Sequence, residues 1–429
     1  MMSTTSWITS IADILPKLPQ MLWDWWLTLP DAVPAFTVGL IVFGIAALMG
    51  QLAAIVMVLM ERKVLSWFTQ RKGPNRVGPL GALQTIADGV KLLFKEDIMN
   101  DAQDKFLFTL APAIFLFPVF VMFTLVPFSS TLIGVSLPVG LLALFALSSI
   151  SVIGVVLAGW ASNNKFSLLG GMRSAAQAIS YEIPLVLSLL GVVLLTGTMD
   201  LSKIIEAQRG GLLHWFGIFL APVSFLIFYT ASLAEVNRVP FDLPEAESEL
   251  VGGYNTEYSG MKFATFFLAE YAGLFIISAI CAAVFFGGYY SPFGGLIVEQ
   301  TGFNVWLANT LGVHQLAQLI PQAEMLLWML SKTYVFVYMA MLIRGTLPRL
   351  KPDELMGFSW KFLLPVALIN VLMIAFVKLF LMDFALNLVS AWVYLGIALL
   401  IGIFGIGGFC LWISRSFTKQ LQSRLLKQV

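Results

Sequence analysis

Four ionisable residues interrupt stretches of the sequence that are otherwise apolar enough to cross a bilayer: Glu182, Glu270, Lys332 and Lys378. A fifth, Glu235, stands where another such stretch ends. A charge at membrane depth costs about 2.5–3.5 kcal/mol on insertion scales, so such residues are rare and commonly serve proton relay or ion conduction. The pattern indicates a protein that moves charge.

A second group of carboxylates follows Glu235 in the segment AEVNRVPFDLPEAESELVGGYNTEYSG, residues 234–260. The segment has a single arginine, Arg238, against five further carboxylates: Asp242, Glu245, Glu247, Glu249 and Glu257. Crowded and partly buried carboxyl groups raise one another's pKa, which predicts groups that bind protons near neutral pH. The simpler alternative is a solvated acidic loop that docks a basic partner.

Glu182 lies in the middle of its apolar stretch, in the motif SYEIP that begins at Ser180. Pro184 has no N–H, so the helix loses its hydrogen bond to the Ser180 carbonyl and a polar defect is left beside the carboxyl. A chain of Glu182, Glu235 and Glu270 on neighbouring helices could pass protons. The alternative is a neutral glutamic acid that is hydrogen-bonded between helices.

A basic, glycine-punctuated segment lies earlier in the chain, at residues 61–79, and contains Arg62, Arg71 and Arg76. Its simplest interpretation is an anchor at the lipid headgroups. After Pro79, apolar residues recur at helical spacing with polar residues between them, which predicts an amphipathic helix that is too short and too charged to span. Such a helix lies along the cytoplasmic interface, either as a plain surface helix or as a wall between lipid and a protein cavity.

The composition places the whole chain in a membrane. Of 429 residues, 59% are hydrophobic and 11% are charged, and the mean hydropathy is +0.88, whereas soluble domains carry about 25% charged residues. The net charge of +1 gives no indication of nucleic-acid binding, and the sequence contains no nucleotide-binding or nucleic-acid-binding motif. With two cysteines in apolar runs and two histidines near helix ends or in a loop, we expect no flavin, haem, iron–sulfur cluster or metal in this chain.

Apolar runs of about 20 residues are needed to cross the hydrocarbon core, and they predict an all-α, polytopic membrane helix bundle. Nine spans are expected: about 34–60, 106–128, 132–160, 168–197, 213–236, 260–287, 322–346, 359–383 and 389–414. Of the 25 lysines and arginines, 20 fall on one side of these spans and 3 on the other. The positive-inside rule then places the N-terminus outside and the C-terminus in the cytoplasm.

Four segments in order closely resemble the H subunit of the proton-pumping NADH–quinone oxidoreductase, respiratory complex I, which is the bacterial counterpart of mitochondrial subunit 1. They are GPNRVGPLGALQTIADGVKLL, SYEIPL, the acidic segment quoted above and LPRLKPDELM. The resemblance implies a multi-pass subunit of a bacterial plasma (inner) membrane that helps form a quinone chamber, with its redox centres in partner subunits. Ubiquinone and menaquinone both fit as substrate.

The resemblance also implies roles for individual residues. The proton path would use Glu182, Glu235, Asp242, Glu245, Glu247, Glu249 and Glu270, and the quinone chamber and arm junction would use Arg62, Arg71, Arg76 and Arg238. The partners would be the other membrane subunits, the hydrophilic arm, membrane lipid and quinone, with no nucleic acid.

The chain departs from this family at its ends, which divides it into three parts. Residues 1–33 are an expected interfacial segment, residues 34–386 carry the resemblance, and residues 387–429 add a ninth span and a basic tail to the usual eight. Two other functions stay open at this point: a free-standing proton or cation secondary transporter, and a membrane subunit of a related membrane-bound hydrogenase. The lack of an evident internal repeat counts against the transporter.

Overall fold

The structure, a computed structural model, describes residues 32–243, 251–298 and 314–379, together with Arg415. Regular structure in these ranges is helical, apart from an isolated bridge between Ser291 and Gly295. The α-helices are α1 (Ala32–Phe68), α2 (Gln84–Phe94), α3 (Lys105–Leu125), α4 (Gly140–Ala161), α5 (Lys165–Thr196), α6 (Leu201–Glu206), α7 (Pro222–Glu235), α8 (Gly260–Phe285), α9 (His314–Thr346), α10 (Pro352–Phe358) and α11 (Leu364–Val377). Two π-helical turns, Phe216–Leu220 and Ser359–Leu363, precede α7 and α11.

Seven helices in the described ranges are long and apolar enough to cross a membrane. They correspond to seven of the nine predicted spans and confirm the polytopic helix bundle. The boundaries differ locally, since α1 continues to Phe68 and α4 begins at Gly140 rather than near residue 132. The predicted ninth span lies outside the described residues.

The fifth predicted span, 213–236, is broken in the structure, so the expectation of one continuous helix was wrong. A π-helical turn ends at Leu220, Ala221 leaves helical geometry with φ −140° and ψ 48°, and the 14-residue α7 begins at Pro222. Proline disfavours the α conformation in the residue before it and donates no backbone hydrogen bond. Pro222 therefore ends one helical segment and begins the next.

The predicted amphipathic helix is present as α2. Its apolar side chains are exposed in this chain, with Leu93 62% and Phe94 88% accessible. An ion pair of 2.5 Å joins Asp88 of α2 to Arg62 of α1. Although burial alone raises the pKa of Asp88, the hydrogen bond and charge of Arg62, with smaller contributions from Gln84 and Lys91, lower it overall. The carboxylate is thus held ionised, and it anchors α2 to the bundle.

The helices that carry Glu182 and Glu270 are the most deeply packed of the seven. Half of the most apolar window of α5 and 78% of that of α8 is buried, against 28–44% for the others. Helix α5 packs between α4 and α7, whereas α8 packs against α3 and α9. The fold therefore places Glu182 and Glu270 on its central helices.

Candidate functional site

An internal cavity of about 70 Å³ lies among α3, α4, α5, α7 and α8. Its wall is mostly apolar, but Glu235, Glu270 and Ser148 face it, together with Ser151 and Asn237. A water molecule needs about 10–15 Å³ of such volume and two to four polar partners. The cavity thus has room for a few water molecules, and the two carboxyls supply polar partners for them.

Serines of α4 connect two of the predicted carboxyl groups. Ser149 Oγ donates a hydrogen bond to Glu182 Oε1. Ser148 lines the internal cavity together with Glu235, and Glu235 lies close enough to Glu182 for their charges to interact. The adjacent serines place the two carboxyls side by side on α5 and α7. Hydroxyl groups both donate and accept hydrogen bonds, so this arrangement suits proton exchange between the carboxyls.

Glu270 of α8 is 8% exposed and accepts a 2.7 Å hydrogen bond from the hydroxyl of Tyr254. The tyrosine reaches it because the preceding loop packs tightly on α5. A Cβ at Gly170 would lie only 2.7 Å from the Gly253 Cα, so a side chain there would push the loop away. Glu235 thus shares the cavity with Glu270 and lies near Glu182, and its helix α7 packs against both α5 and α8.

The predicted polar defect beside Glu182 is present and is satisfied by another helix. Ser359 Oγ, at the start of the second π-helical turn, donates a 2.6 Å hydrogen bond to the Ser180 carbonyl. Trp360 Nε1 donates to the Ser180 hydroxyl at 3.2 Å. The carbonyl that Pro184 leaves without its helical partner thus fixes α5 to the segment before α11.

Replacing Ser359 with alanine should destabilise the protein by about 1–3 kcal/mol, since a buried carbonyl then loses its donor. Ser331→Ala is the control, because its exposed hydroxyl bonds only to the Trp328 carbonyl of its own helix in the described structure, and it should change stability by less than about 0.5 kcal/mol. Thermal unfolding of the detergent-solubilised protein measures both. Equal melting temperatures for the two variants would contradict the assigned bond.

Arg238 is paired with a carboxylate that the sequence did not single out as a site residue. Its guanidinium lies 3.0 Å from Glu61 Oε2, and Arg344 donates to Glu61 Oε1. The Tyr271 ring packs under Arg238 with its centroid 4.1 Å from Cζ. Burial alone lowers the pKa of Arg238, but the charges of Glu61, Tyr271 and Glu270 raise it overall, so the guanidinium stays charged.

Asp242 is buried and forms a 2.6 Å ion pair with Arg349, from the segment that follows α9. Glu257, in the same acidic segment, accepts a 2.6 Å hydrogen bond from Asn164 at the start of α5. The other three predicted carboxylates of this segment, Glu245, Glu247 and Glu249, lie outside the described residues.

A separate cleft of about 610 Å³ lies between α1, α2 and α8. Arg62 and Asp88 form its polar side, and Phe263, Phe267 and Tyr271 of α8 contribute aromatic rings. Arg71 and Arg76, predicted to shape the same region, are exposed and do not line this cleft as described. The cleft combines a long apolar wall with a small charged group, which suits an amphipathic ligand.

Helix α8 forms a wall of both compartments. Glu270 faces the internal cavity, and its neighbour Tyr271 lines the cleft while its ring packs against Arg238. The buried Glu61–Arg238 ion pair, which we call the buried charge layer, therefore lies between the cleft and the carboxyl cluster. A change of charge on one side of this layer acts on the other side across a low-dielectric interior.

The two lysines within predicted spans have a different role from the carboxyls. Lys332 Nζ donates to the carbonyls of Phe286, Gly288 and Tyr290 at 2.6–2.8 Å, where α8 ends. Lys378 Nζ donates to the carbonyl of Leu194, near the end of α5, at 2.5 Å. Helix C-termini leave unpaired carbonyls and a partial negative charge, which ammonium groups neutralise. Lys378 therefore stabilises the end of α5, and Lys332 stabilises the loop that follows α8.

Sequence reasoning missed the residues that complete the site from distant parts of the chain: Glu61, Gln177, Tyr254, Arg344 and Arg349. The sequence did contain an indication of Arg344 and Arg349, since both lie at the short loop between α9 and α10, on the side of the spans that is rich in lysine and arginine. Among the described residues no group of three or more metal-binding side chains occurs.

Comparisons with known proteins give consistent matches. The family described as NADH dehydrogenase matches residues 40–375. The H subunit of the NADH-quinone oxidoreductase of Brevibacillus brevis is 50% identical over 317 residues, covering 74% of this chain and 86% of the relative. NADH-quinone oxidoreductase subunit 8 of Rhodothermus marinus is 47% identical over 80% of this chain and 97% of its own length. The H subunit from Dehalococcoides mccartyi is 43% identical, covering 76% of this chain and 82% of the relative.

Proposed function

Because the chain belongs to the NADH dehydrogenase family of NADH–quinone oxidoreductase H subunits, we propose that it helps form the quinone chamber and couples quinone reduction to proton translocation. It is a multi-pass membrane subunit of this oxidoreductase, and its partners include the other subunits of complex I. The finer assignments concern the substrate, the residues and the path of the protons.

The observation that carries the proposal is the position of α8 between the two compartments. Tyr271 lines the cleft, Glu270 lines the cavity, and the Glu61–Arg238 pair lies against Tyr271. Reduction of a quinone to the quinol consumes two electrons, which the partner subunits deliver, and two protons. A quinone that takes up negative charge beside this layer would attract protons toward it.

We assign the protons to the carboxyl cluster. Glu270 and Glu235 share the cavity, and Glu235 and Glu182 interact through charge. Proton transfer between carboxyls separated by a few water molecules needs hydroxyl or water bridges, and Tyr254, Ser148 and Ser149 lie at the right positions for such bridges. Asp242, Glu245, Glu247 and Glu249 would bring protons to this cluster.

Glu182 supports a path that leaves this subunit. It is half-buried on the outer side of the described bundle, next to the exposed Ile179 and Ile183 of the same helix. A carboxyl at membrane depth that is only half covered by protein is costly, even with the hydrogen bond from Ser149. We propose that a neighbouring membrane subunit covers this face and continues the proton path.

The orientation of the chain in the membrane follows from the distribution of its lysines and arginines between the two sides of the spans. We propose that the N-terminus lies outside, that the C-terminus lies in the cytoplasm, and that the host membrane is a bacterial plasma membrane. The exposed Arg71 and Arg76 would then face the hydrophilic arm at the arm junction, and the exposed apolar residues of α2 would contact lipid. Residues 1–33 and 387–429 are proposed to be peripheral to the quinone chemistry.

Purification under mild detergent should yield this chain in an assembly that contains flavin and iron–sulfur clusters. In that assembly a photoreactive quinone should label α8 at the positions that line the cleft, such as Phe263 and Phe267, and excess unlabelled short-chain quinone should suppress the labelling. Mass spectrometry of the labelled peptides measures the effect. Recovery of a lone homo-oligomer would favour a transporter, and labelling that excess quinone leaves unchanged would argue against a quinone cleft here.

A further inference from the structure

Gln177 is a fully buried glutamine of α5, five residues before Glu182. Its amide nitrogen donates to the carbonyls of Ala234 and Phe241 at 2.7 and 2.6 Å. The side-chain oxygen of Asn237 lies 3.2 Å from the same nitrogen. An amide carries two N–H groups, so the two short contacts go to the two backbone carbonyls.

These two carbonyls mark the ends of the turn that follows α7. Within the turn, the Arg238 N–H bonds to the Leu233 carbonyl at 3.1 Å, and Asn237 adopts φ 53°. This left-handed conformation is one that asparagine tolerates better than most residues. The Gln177 side chain of α5 is thus hydrogen-bonded to both ends of the turn that follows α7.

This turn contains or adjoins two residues of the proposed proton path, Glu235 and Asp242. Glu235 lies at its start, Arg238 in its middle, and Asp242 directly after Phe241. Glu235 and Asn237 both line the internal cavity. Because Glu182 is on the same helix as Gln177, about 7.5 Å farther along its axis, the two hydrogen bonds of Gln177 also set where Glu182 lies relative to these residues.

We propose that Gln177 is a positioning residue for proton transfer, whose amide holds the Glu235–Asp242 turn in register with Glu182. The inference rests on the proposed function, since it assigns Gln177 to that same carboxyl cluster. It identifies the amide N–H groups as the essential chemistry, because only a donor can join two carbonyl oxygens.

The test compares two substitutions of Gln177 in the assembled complex. Q177M keeps the length and bulk of the side chain but removes both donors. Q177E keeps the shape, yet an ionised carboxylate only accepts hydrogen bonds, whereas a protonated carboxyl donates one. Turnover per assembled complex, its dependence on pH between 6 and 8, and protons translocated per quinone reduced are the readouts.

Gln208 provides a matched control. It is also fully buried, and its amide donates to the carbonyls of Ala283 and Val284 near the end of α8. That end lies about 20 Å along the helix from Glu270. Q208M therefore removes an equally buried amide far from the carboxyl cluster, and it should lower the yield of assembled complex while leaving turnover per complex unchanged.

We expect Q177M to lower turnover per complex about fivefold at every pH. Q177E should lower it as much at pH 8 but recover part of it at pH 6, since acid restores one donor. Normal turnover and proton stoichiometry in both Gln177 variants, alongside an impaired Glu182→Gln complex, would overturn the role of Gln177 and leave the proposed function standing. Normal behaviour of Glu182→Gln as well would instead remove the proposed function.

Discussion

Replacing Glu182 with glutamine should lower both quinone reduction and proton translocation by roughly 100-fold or more, because a positioned proton-transferring side chain typically contributes about 10²–10⁴-fold. Glutamine keeps the shape and can still accept the hydrogen bond from Ser149, but it does not exchange a proton. In a tightly coupled machine neither electron transfer nor pumping completes alone. Quinone reduction by reconstituted complex and acidification measured with a pH-sensitive dye give the two rates.

Glu324→Gln is the matched control for that experiment. Glu324 is also a carboxyl in a long apolar helix, α9, but it accepts backbone hydrogen bonds from Ile297 and Val298 at 2.7 and 2.9 Å and lines neither compartment. The two N–H groups donate to different carboxylate oxygens, so the amide of glutamine keeps one of the two bonds and the variant should lose some stability. Turnover per assembled complex should nevertheless stay within about twofold, because no carboxyl of the proposed proton path changes. An assembled Glu182→Gln complex with normal turnover and pumping would falsify the assignment of that carboxyl to the proton path.

Removing the carboxylate of Glu61 should destabilise the protein by about 3–5 kcal/mol, because it leaves buried positive charge without a counterion. Glu61 is 3% exposed and is shared by Arg238 and Arg344. Glu61→Gln keeps the shape but cannot balance either arginine. Denaturant unfolding of the detergent-solubilised protein, followed by tryptophan fluorescence, measures the change.

Asp101→Asn serves as the comparison, since the ion pair of Asp101 with Lys105 is exposed on both sides. Exposed pairs contribute about 0–1 kcal/mol, so this variant should be close to wild type. The two substitutions make the same chemical change, a carboxylate to an amide, in opposite surroundings. Similar stability losses in both would mean that Glu61 is not the counterion of the buried arginines.

Local rules predicted the parts of this molecule that depend on nearby residues. Hydrophobic runs predicted the crossing helices, periodicity predicted α2, and Pro184 predicted the free Ser180 carbonyl. The same rules failed at Ala221–Pro222, where the apolar composition of the stretch outweighed the proline in the prediction of a continuous span.

The charge pairings could not be predicted in this way. Arg238 and Glu61 are separated by 177 positions, and Arg349 and Asp242 by 107. Hydrophobic periodicity contains no information about which distant charges meet, because tertiary packing decides that. For the same reason Lys332 and Lys378 first suggested charge transport, although their ammonium groups bond to backbone carbonyls at the end of α5 and in the loop after α8.

Helix α8 faces the internal cavity with Glu270 and the cleft with Tyr271. This limits how this part of the chain can change length during evolution. The helix begins at Gly260, which has a φ of 56° and packs so closely on the Lys95 carbonyl that an added Cβ would lie 3.0 Å from its oxygen. Inserting one residue between Gly260 and Glu270 rotates every later side chain by about 100°. Glu270 would then leave the internal cavity, and Tyr271 would leave the cleft. The number of residues in this stretch is therefore as constrained as their identity, whereas surface loops elsewhere are free to lengthen.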